Sequence, residues 1–503
     1  MKFNLGELLE NRAFLTPQQE AAAGNGYRYS YARVNSRACQ FAGLLTANGV
    51  TAGKRVAVLG KNDEWVTTCL FGAAKAGIIT VLLNWRLHAK ELAYILNDCS
   101  ATALIYESQF AGQVDEIRSE IACSTFICKN SNGADPDFEN ELARISDDRP
   151  ETKGFGKDPA LLMYTSGTTG KPKGVTLSHD NLFWASIGLS HTIDWPNKAR
   201  FLSVAPLFHI GGLAPILANV HRACATIYMP DFDPHKIWQV IEDEKITFLM
   251  TVPLMLQYMI MMPGMAKADL SNLKQIICGG SPVAQSLIAA YKDKGILVQQ
   301  VYGATEYCGA ITFWTHDMPW EKSNSAGKAV FHGDVKILSP DTGQETGTDE
   351  IGEICLSGPQ VFTGYWNNPK ATSEVLSSGY YRSGDLGRKD RDGFVYVVDR
   401  LKDMIISGGE NIYPAEIEAV IISHPDVSEA AVIGKSDEKW GEVPVAFVVC
   451  QKDAKASKQD IIELCDKNLA GYKRIKDVFF VEEIPKNSVG KVLKKDLQTR
   501  LSK

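Results

Sequence analysis

The chain is short of positive charge: 53 lysines and arginines face 59 aspartates and glutamates, for a net charge of −6 over 503 residues. A general nucleic-acid binder needs a basic footprint, so no nucleic-acid partner is expected. The lysine-rich run from Lys486 to Lys495 reads, on composition alone, as solvated surface. Apolar runs of membrane-spanning length are missing, and stretches such as Ile78 to Leu83 are short enough to be buried strands, so no integral membrane segment is expected. The eleven cysteines are scattered singly, and the closest pair, Cys123 and Cys128, matches no common zinc spacing. That excludes a disulfide scaffold and favours reduced thiols in a cytoplasmic protein. The start, Met1-Lys2-Phe3-Asn4-Leu5-Gly6-Glu7, lacks a basic segment followed by an apolar core, so no secretory leader is expected. The end, Arg500-Leu501-Ser502-Lys503, lacks the final leucine of a peroxisomal address. Repeats and low-complexity tracts are missing too. A chain this long exceeds one hydrophobic core and needs several structural units. A homodimer is compatible with all of this.

What is present alternates. Arg55 to Gly60 reads as a buried strand, Glu64 to Gly77 as a helix ended by glycine, and Ile78 to Leu83 and Ala103 to Tyr106 as further strands. This alternation predicts α/β layers with mostly parallel sheets. Phe248 to Val252, Gln275 to Cys278 and Leu297 to Tyr302 are strand-like and end in Pro253, Gly279-Gly280-Ser281 and Gly303-Ala304-Thr305-Glu306. Ligands of open α/β sheets collect beyond the carboxyl ends of strands, so these ends are candidate site walls. After about Pro340, glycine and aspartate turns between short β runs predict antiparallel sheet or a small barrel. A βα unit begins near Met404, with Ala415 to Ile422 helical and Glu429 to Ile433 extended. The fold class expected is α/β: a large N-terminal domain of mostly parallel sheets, a small β-barrel-like subdomain, and a small mobile α+β C-terminal domain. Its boundaries are 1–399, a charged hinge at 400–403, and 404–503.

The stretch Tyr164-Thr165-Ser166-Gly167-Thr168-Thr169-Gly170-Lys171-Pro172-Lys173-Gly174-Val175 follows the apolar strand Ala160 to Met163. Glycines allow close approach of a ligand, while hydroxyls, backbone N–H groups and ammonium groups are what a polyphosphate needs. It is not a Walker A loop, because Pro172 stands where Ser or Thr is required. Read alone, such a stretch is more readily a flexible surface loop.

This segment resembles the phosphate-binding signature of the adenylate-forming superfamily, which includes acyl-CoA synthetases, adenylation domains of peptide synthetases and beetle luciferases. Further motifs follow in the family's order over nearly the whole chain, and place it in the acyl-CoA synthetase branch. Tyr302-Gly303-Ala304-Thr305-Glu306 looks like the second core motif; the resemblance implies that Thr305 contacts the adenylate phosphate and that Glu306 helps hold Mg²⁺. Tyr381-Arg382-Ser383-Gly384-Asp385 matches the next motif, with Ser where Thr is commoner, and implies that Asp385 accepts from the ribose hydroxyls. Arg400-Leu401-Lys402-Asp403 resembles the hinge motif, with Arg400 on the ribose or phosphate and Lys402 as pivot. Ser407-Gly408-Gly409-Glu410 resembles the stretch lining the pantetheine channel, and Pro414 is also suited to a first helical turn. Lys491, within Pro485-Lys486-Asn487-Ser488-Val489-Gly490-Lys491-Val492, matches the lysine that meets the attacking carboxylate and α-phosphate; Lys486, Lys494 and Lys495 are its ordinary neighbours.

The resemblance implies an ATP-dependent, AMP-forming acid–thiol ligase using ATP, Mg²⁺ and coenzyme A. A carboxylic acid becomes acyl-AMP with release of pyrophosphate, and the C-terminal domain then turns about Lys402 to admit the thiol. The acyl pocket implied includes His209, Ile210, Gly211, Val252, Gly279, Gly280, Cys308 and Gly309, with His209 either a gate or a structural histidine. Its walls are apolar or small, with no Arg or Lys among them, so a second carboxylate would be buried unpaired. A hydrophobic monocarboxylic acid, fatty, alicyclic or aromatic, is therefore favoured. The alternatives are a stand-alone adenylation enzyme that loads a carrier protein and a luciferase-like oxygenase.

Overall fold

The computed structural model describes residues 3–165, 171–407, 410–452, 454, 456–487, 490 and 492–501, with Tyr472 described by its backbone alone. The chain forms two compact units, Met1–Val335 with Leu356–Tyr381, and Lys336–Cys355 with Arg382–Lys503.

The first unit holds two large sheets. In a nine-stranded sheet, Leu297–Ala304, Gln275–Gly279, Phe248–Thr251, Arg200–Ser203, Ala225–Tyr228 and Glu20–Gly24 run parallel as neighbours in that order. Antiparallel strands extend it at both edges, Gly309–Trp314 on one side and Tyr27–Ser30 on the other. In a seven-stranded sheet, Pro159–Thr165, Ile79–Leu82, Arg55–Leu59, Ala103–Glu107 and Thr125–Lys129 are parallel neighbours. Continuous apolar runs make these strands because both faces are buried, which is the habit of parallel sheets. The expected helix forms over Glu64–Lys75 and is buried along its whole length. Its two charged ends are matched: Glu64 lies 3.0 Å from the Arg37 guanidinium, and Lys75 lies 3.0 Å from Glu10.

Strand order reverses at Arg200–Ser203. The chain continues to Ala225–Tyr228 on one side and returns to Phe248–Thr251 on the other. A crevice opens at such a switch point, beyond the carboxyl ends of the strands.

The second unit contains a sheet in which Tyr380–Lys389 pairs antiparallel with Val395–Arg400. It also contains a five-stranded sheet built on the long hairpin Val427–Asp437 and Gly441–Cys450, with the helices Pro414–Ile422 and Lys458–Asn468 completing its core. Compactness groups 336–355 and 382–399 with the C-terminal residues, and the Asp399 carboxylate accepts from the Ala415 N–H at 2.8 Å. All eleven cysteines are free thiols, and among the described residues no helix is long and apolar enough to cross a membrane.

Candidate active site

The expected pocket residues of the first unit meet at the switch point. In register, Ser203 lies opposite Met250, Thr251 opposite Cys278, and Gly279 opposite Val301. Their strands therefore end together, and the segments after them form one rim. His209 stands on the loop leaving Arg200–Ser203, as the residue before the helix Ile210–His221. Buried Asn62 clamps that loop, donating to the Ala205 carbonyl at 2.9 Å and accepting from the Leu207 N–H at 3.0 Å. Small residues let the rim segments approach one another closely. A Cβ built on Gly211 would meet Met250 Cε at 3.3 Å, one on Gly280 would meet Val252 Cγ1 at 3.5 Å, and one on Gly309 would meet Ala214 Cβ at 3.4 Å and Ile210 Cγ1 at 3.7 Å. Ser281 continues the turn after Gly280. Cys308 is buried in a left-handed conformation (φ 54°), and burial pushes its thiol well above the ordinary range, so it is a wall and not a nucleophile.

Burial, with the Arg86 guanidinium nearby, pushes His209 down to about 4, so its imidazole is neutral near pH 7. Among the described residues its Nε2 is buried without a hydrogen-bond partner, and its ring lies 4.5 Å from that of Phe208. The Arg86 guanidinium sits 4.3 Å from the Trp85 ring centre and 5.7 Å from that of Phe208. None of the wall residues named from sequence is a cation, yet the fold brings one beside His209 from far along the chain.

The phosphate-binding candidates occupy the adjoining edge. Thr165 ends the strand Pro159–Thr165 and lies opposite Lys173, the first residue of the returning strand Lys173–Ser178. Lys171 Nζ lies 5.7 Å from the Tyr94 ring centre. Tyr302, Gly303 and Ala304 end the strand Leu297–Ala304, and Thr305 and Glu306 follow in a single 3₁₀ turn. The Glu306 carbonyl accepts from the Phe362 N–H at 2.9 Å, and its carboxylate accepts from the Tyr365 hydroxyl at 2.9 Å. Tyr365 belongs to the two-residue strand Gly364–Tyr365, paired with Thr176 and Val175. Ser166, Gly167, Thr168, Thr169 and Gly170 lie outside the described residues.

In the second unit, Asp385 is buried on Tyr380–Lys389 directly opposite Arg400, and Arg400 Nε is 2.5 Å from Asp385 Oδ1. The turn before it is fixed by Glu353, which accepts from Arg382 Nε at 2.6 Å and from the Gly384 N–H at 3.0 Å. The Ser383 hydroxyl donates to the Ile354 carbonyl at 2.6 Å and accepts from the Asp385 N–H at 3.0 Å. The Ser-for-Thr exchange thus keeps a working hydroxyl. Lys402 is exposed on the 3₁₀ turn Leu401–Asp403. Ser407 lies opposite Glu410 in a short antiparallel pair, and Pro414 opens its helix as expected. Lys486 and Lys494 are engaged by Glu429 (2.6 Å) and Glu418 (3.0 Å). Gly408, Gly409 and Lys491 lie outside the described residues.

A model of the AMP-binding enzyme family matches residues 9–366, and one of the AMP-binding enzyme C-terminal domain matches residues 416–491. The chain is 39% identical over 502 residues to a long-chain-fatty-acid–CoA ligase of Mycobacterium tuberculosis, covering 99% of each. It is 38% identical over 497 residues to a feruloyl-CoA synthase of an Amycolatopsis species, again covering 99% of each. Its structure is similar to that of the o-succinylbenzoate CoA synthetase of Bacillus subtilis in complex with its acyl-adenylate intermediate, with a TM-score of 0.88 and 31% identity over 99% of this chain and 98% of that one.

Proposed function

The chain belongs to the AMP-binding enzyme family, and from that premise we propose an AMP-forming acid–CoA ligase acting on a hydrophobic monocarboxylic acid. A carboxylate oxygen attacks the α-phosphorus of ATP and pyrophosphate leaves. The coenzyme A sulfur then attacks the acyl carbon of the adenylate, releasing AMP. The observation that carries this reading is the shared rim, where small and apolar residues lie beside the Tyr302–Glu306 motif at aligned strand ends.

Thr305, Lys171 and Lys173 are assigned to the phosphates, with the loop 166–170. Asp385 is assigned to the ribose and Arg400 to the ribose or phosphate. Among the described residues no three His, Cys, Asp or Glu side chains gather to cage a metal. A single carboxylate at Glu306 suits Mg²⁺, which takes one or two protein carboxylates and completes its shell with phosphate oxygens and water. When bound, the ion would offset charge on the phosphates. Neutral His209 borders the acyl pocket without a charge of its own, and the Arg86 guanidinium beside it stacks on the rings of Trp85 and Phe208. Lys491 is assigned to the adenylation transition state, Lys402 to the pivot, and Ser407, Gly408, Gly409 and Glu410 to the pantetheine path.

The test is pyrophosphate release from MgATP across short, long, alicyclic and aromatic acids, each with and without coenzyme A, for wild type and Lys491→Ala. Wild type should respond to hydrophobic acids and need coenzyme A for sustained turnover. The variant should lose most adenylation and keep transfer from a supplied acyl-adenylate. Release indifferent to coenzyme A would make a carrier protein the acceptor, and equal loss of both half-reactions would remove Lys491 from its assigned step.

A further inference from the structure

We propose that Tyr365 is a positioning residue for adenylation, one phenol that orients the Glu306 carboxylate toward a divalent cation and supports the Lys173 ammonium beside the same polyphosphate. The inference rests on the reading of Glu306 and Lys173 given above.

The Tyr365 hydroxyl donates to Glu306 Oε1 at 2.9 Å, while Lys173 Nζ lies 5.1 Å from the centre of the same ring. The two charged groups come from different sheets, Lys173 from the strand next to the edge of the seven-stranded one and Glu306 from the turn after a strand of the nine-stranded one. Among the described residues, Tyr365 meets both. The terminal torsion of a glutamate is broad and nearly two-fold, so the orientation of its carboxylate is set by the groups that bond it. A hydrogen bond from the phenol to one oxygen restricts that torsion, as outer-shell partners do for metal-binding carboxylates generally.

The backbone that carries the phenol is tied down on both sides. The Tyr365 N–H donates to Thr372 Oγ1 at 2.9 Å, the Trp366 N–H to the Gly174 carbonyl at 2.7 Å, and the Thr363 N–H to the Thr176 carbonyl at 3.1 Å. Asn181 Nδ2 ties down the approach to this strand by donating to the carbonyls of Pro359 (2.9 Å) and Val361 (2.8 Å).

The experiment is a Mg²⁺ titration of acid-dependent pyrophosphate release at saturating ATP, for wild type, Tyr365→Phe, Tyr365→Leu, Glu306→Gln and the Tyr365→Phe/Glu306→Gln double variant. Transfer from supplied acyl-adenylate to coenzyme A and the melting temperature are measured alongside. Tyr365→Phe should raise the half-saturating Mg²⁺ about tenfold, the lower end of the range for losing such a partner. It should leave acyl transfer and melting near wild type. Tyr365→Leu, which also strips the ring from Lys173, should in addition raise KM for ATP. The double variant should be no worse than Glu306→Gln alone. A Mg²⁺ response in Glu306→Gln but none in Tyr365→Phe overturns the role of Tyr365 and leaves the Glu306 assignment standing. A silent Glu306→Gln overturns both. Equal loss of both half-reactions in Tyr365→Phe reduces the tyrosine to a packing role and overturns the proposal.

Discussion

Gly303 and Gly279 occupy positions where a methyl group has nowhere to go. A Cβ on Gly303 would lie 2.4 Å from the Gly309 carbonyl oxygen, and one on Gly279 would lie 2.3 Å from that of Val301. Both obstacles are backbone, which yields only by shifting the strand pair that carries Thr305 and Glu306. Gly303→Ala is therefore expected to cost about 1–3 kcal/mol of stability. It should slow adenylation by about 10²-fold, the scale of an ångström-sized misplacement. Chemical unfolding and pyrophosphate release check the two effects. The residue identities at this site were legible in the sequence, since the motif names Gly303, Thr305 and Glu306. Their partners were not. Asn62, Arg86 and Tyr365 reach the site from distant segments, and each alone looks like an ordinary loop or strand residue.

At the scale of elements, the turn Ser383-Gly384-Asp385 owes its shape to a neighbouring strand. Glu353, on Gly352–Ser357, is buried and accepts from both Arg382 and the Gly384 N–H. A glutamine there would lose the charge and turn an N–H₂ toward donors. Glu353→Gln is expected to destabilise the protein by about 2 kcal/mol, the worth of a hydrogen bond to a charged group. It should also raise KM for ATP by displacing Asp385; urea unfolding and ATP saturation curves measure each. Strand and helix positions were read well where apolar runs were continuous, as in Arg55–Leu59 and Ala103–Glu107. The two-residue strand Gly364–Tyr365 escaped notice because it has no periodicity of its own and exists only by pairing with Val175 and Thr176.

At the scale of the whole molecule, three histidines of the first unit are held neutral by burial. His179, His209 and His221 are each pushed from 6.5 to about 4. Between those values the unfolded chain takes up protons that the folded chain refuses, so stability is full above about pH 6.5 and falls as pH drops toward 4. His179 is the clearest case, since its Nδ1 accepts from the Leu5 N–H at 3.1 Å. Its share amounts to at most about 3 kcal/mol. Melting temperatures taken from pH 7 to pH 4 should fall, and His179→Asn, which keeps an acceptor but does not titrate, should fall less steeply. The sequence by itself determined the α/β class, the reaction type and the residues of the motifs, because periodicity is local and each motif is contiguous. Tertiary structure alone decided the rest. It set strand order and with it the switch point, the neutral state of His209, and the meeting of Lys173 with Glu306 at one phenol. These depend on burial and on contacts between residues far apart in the chain, for which a linear sequence carries no local signal.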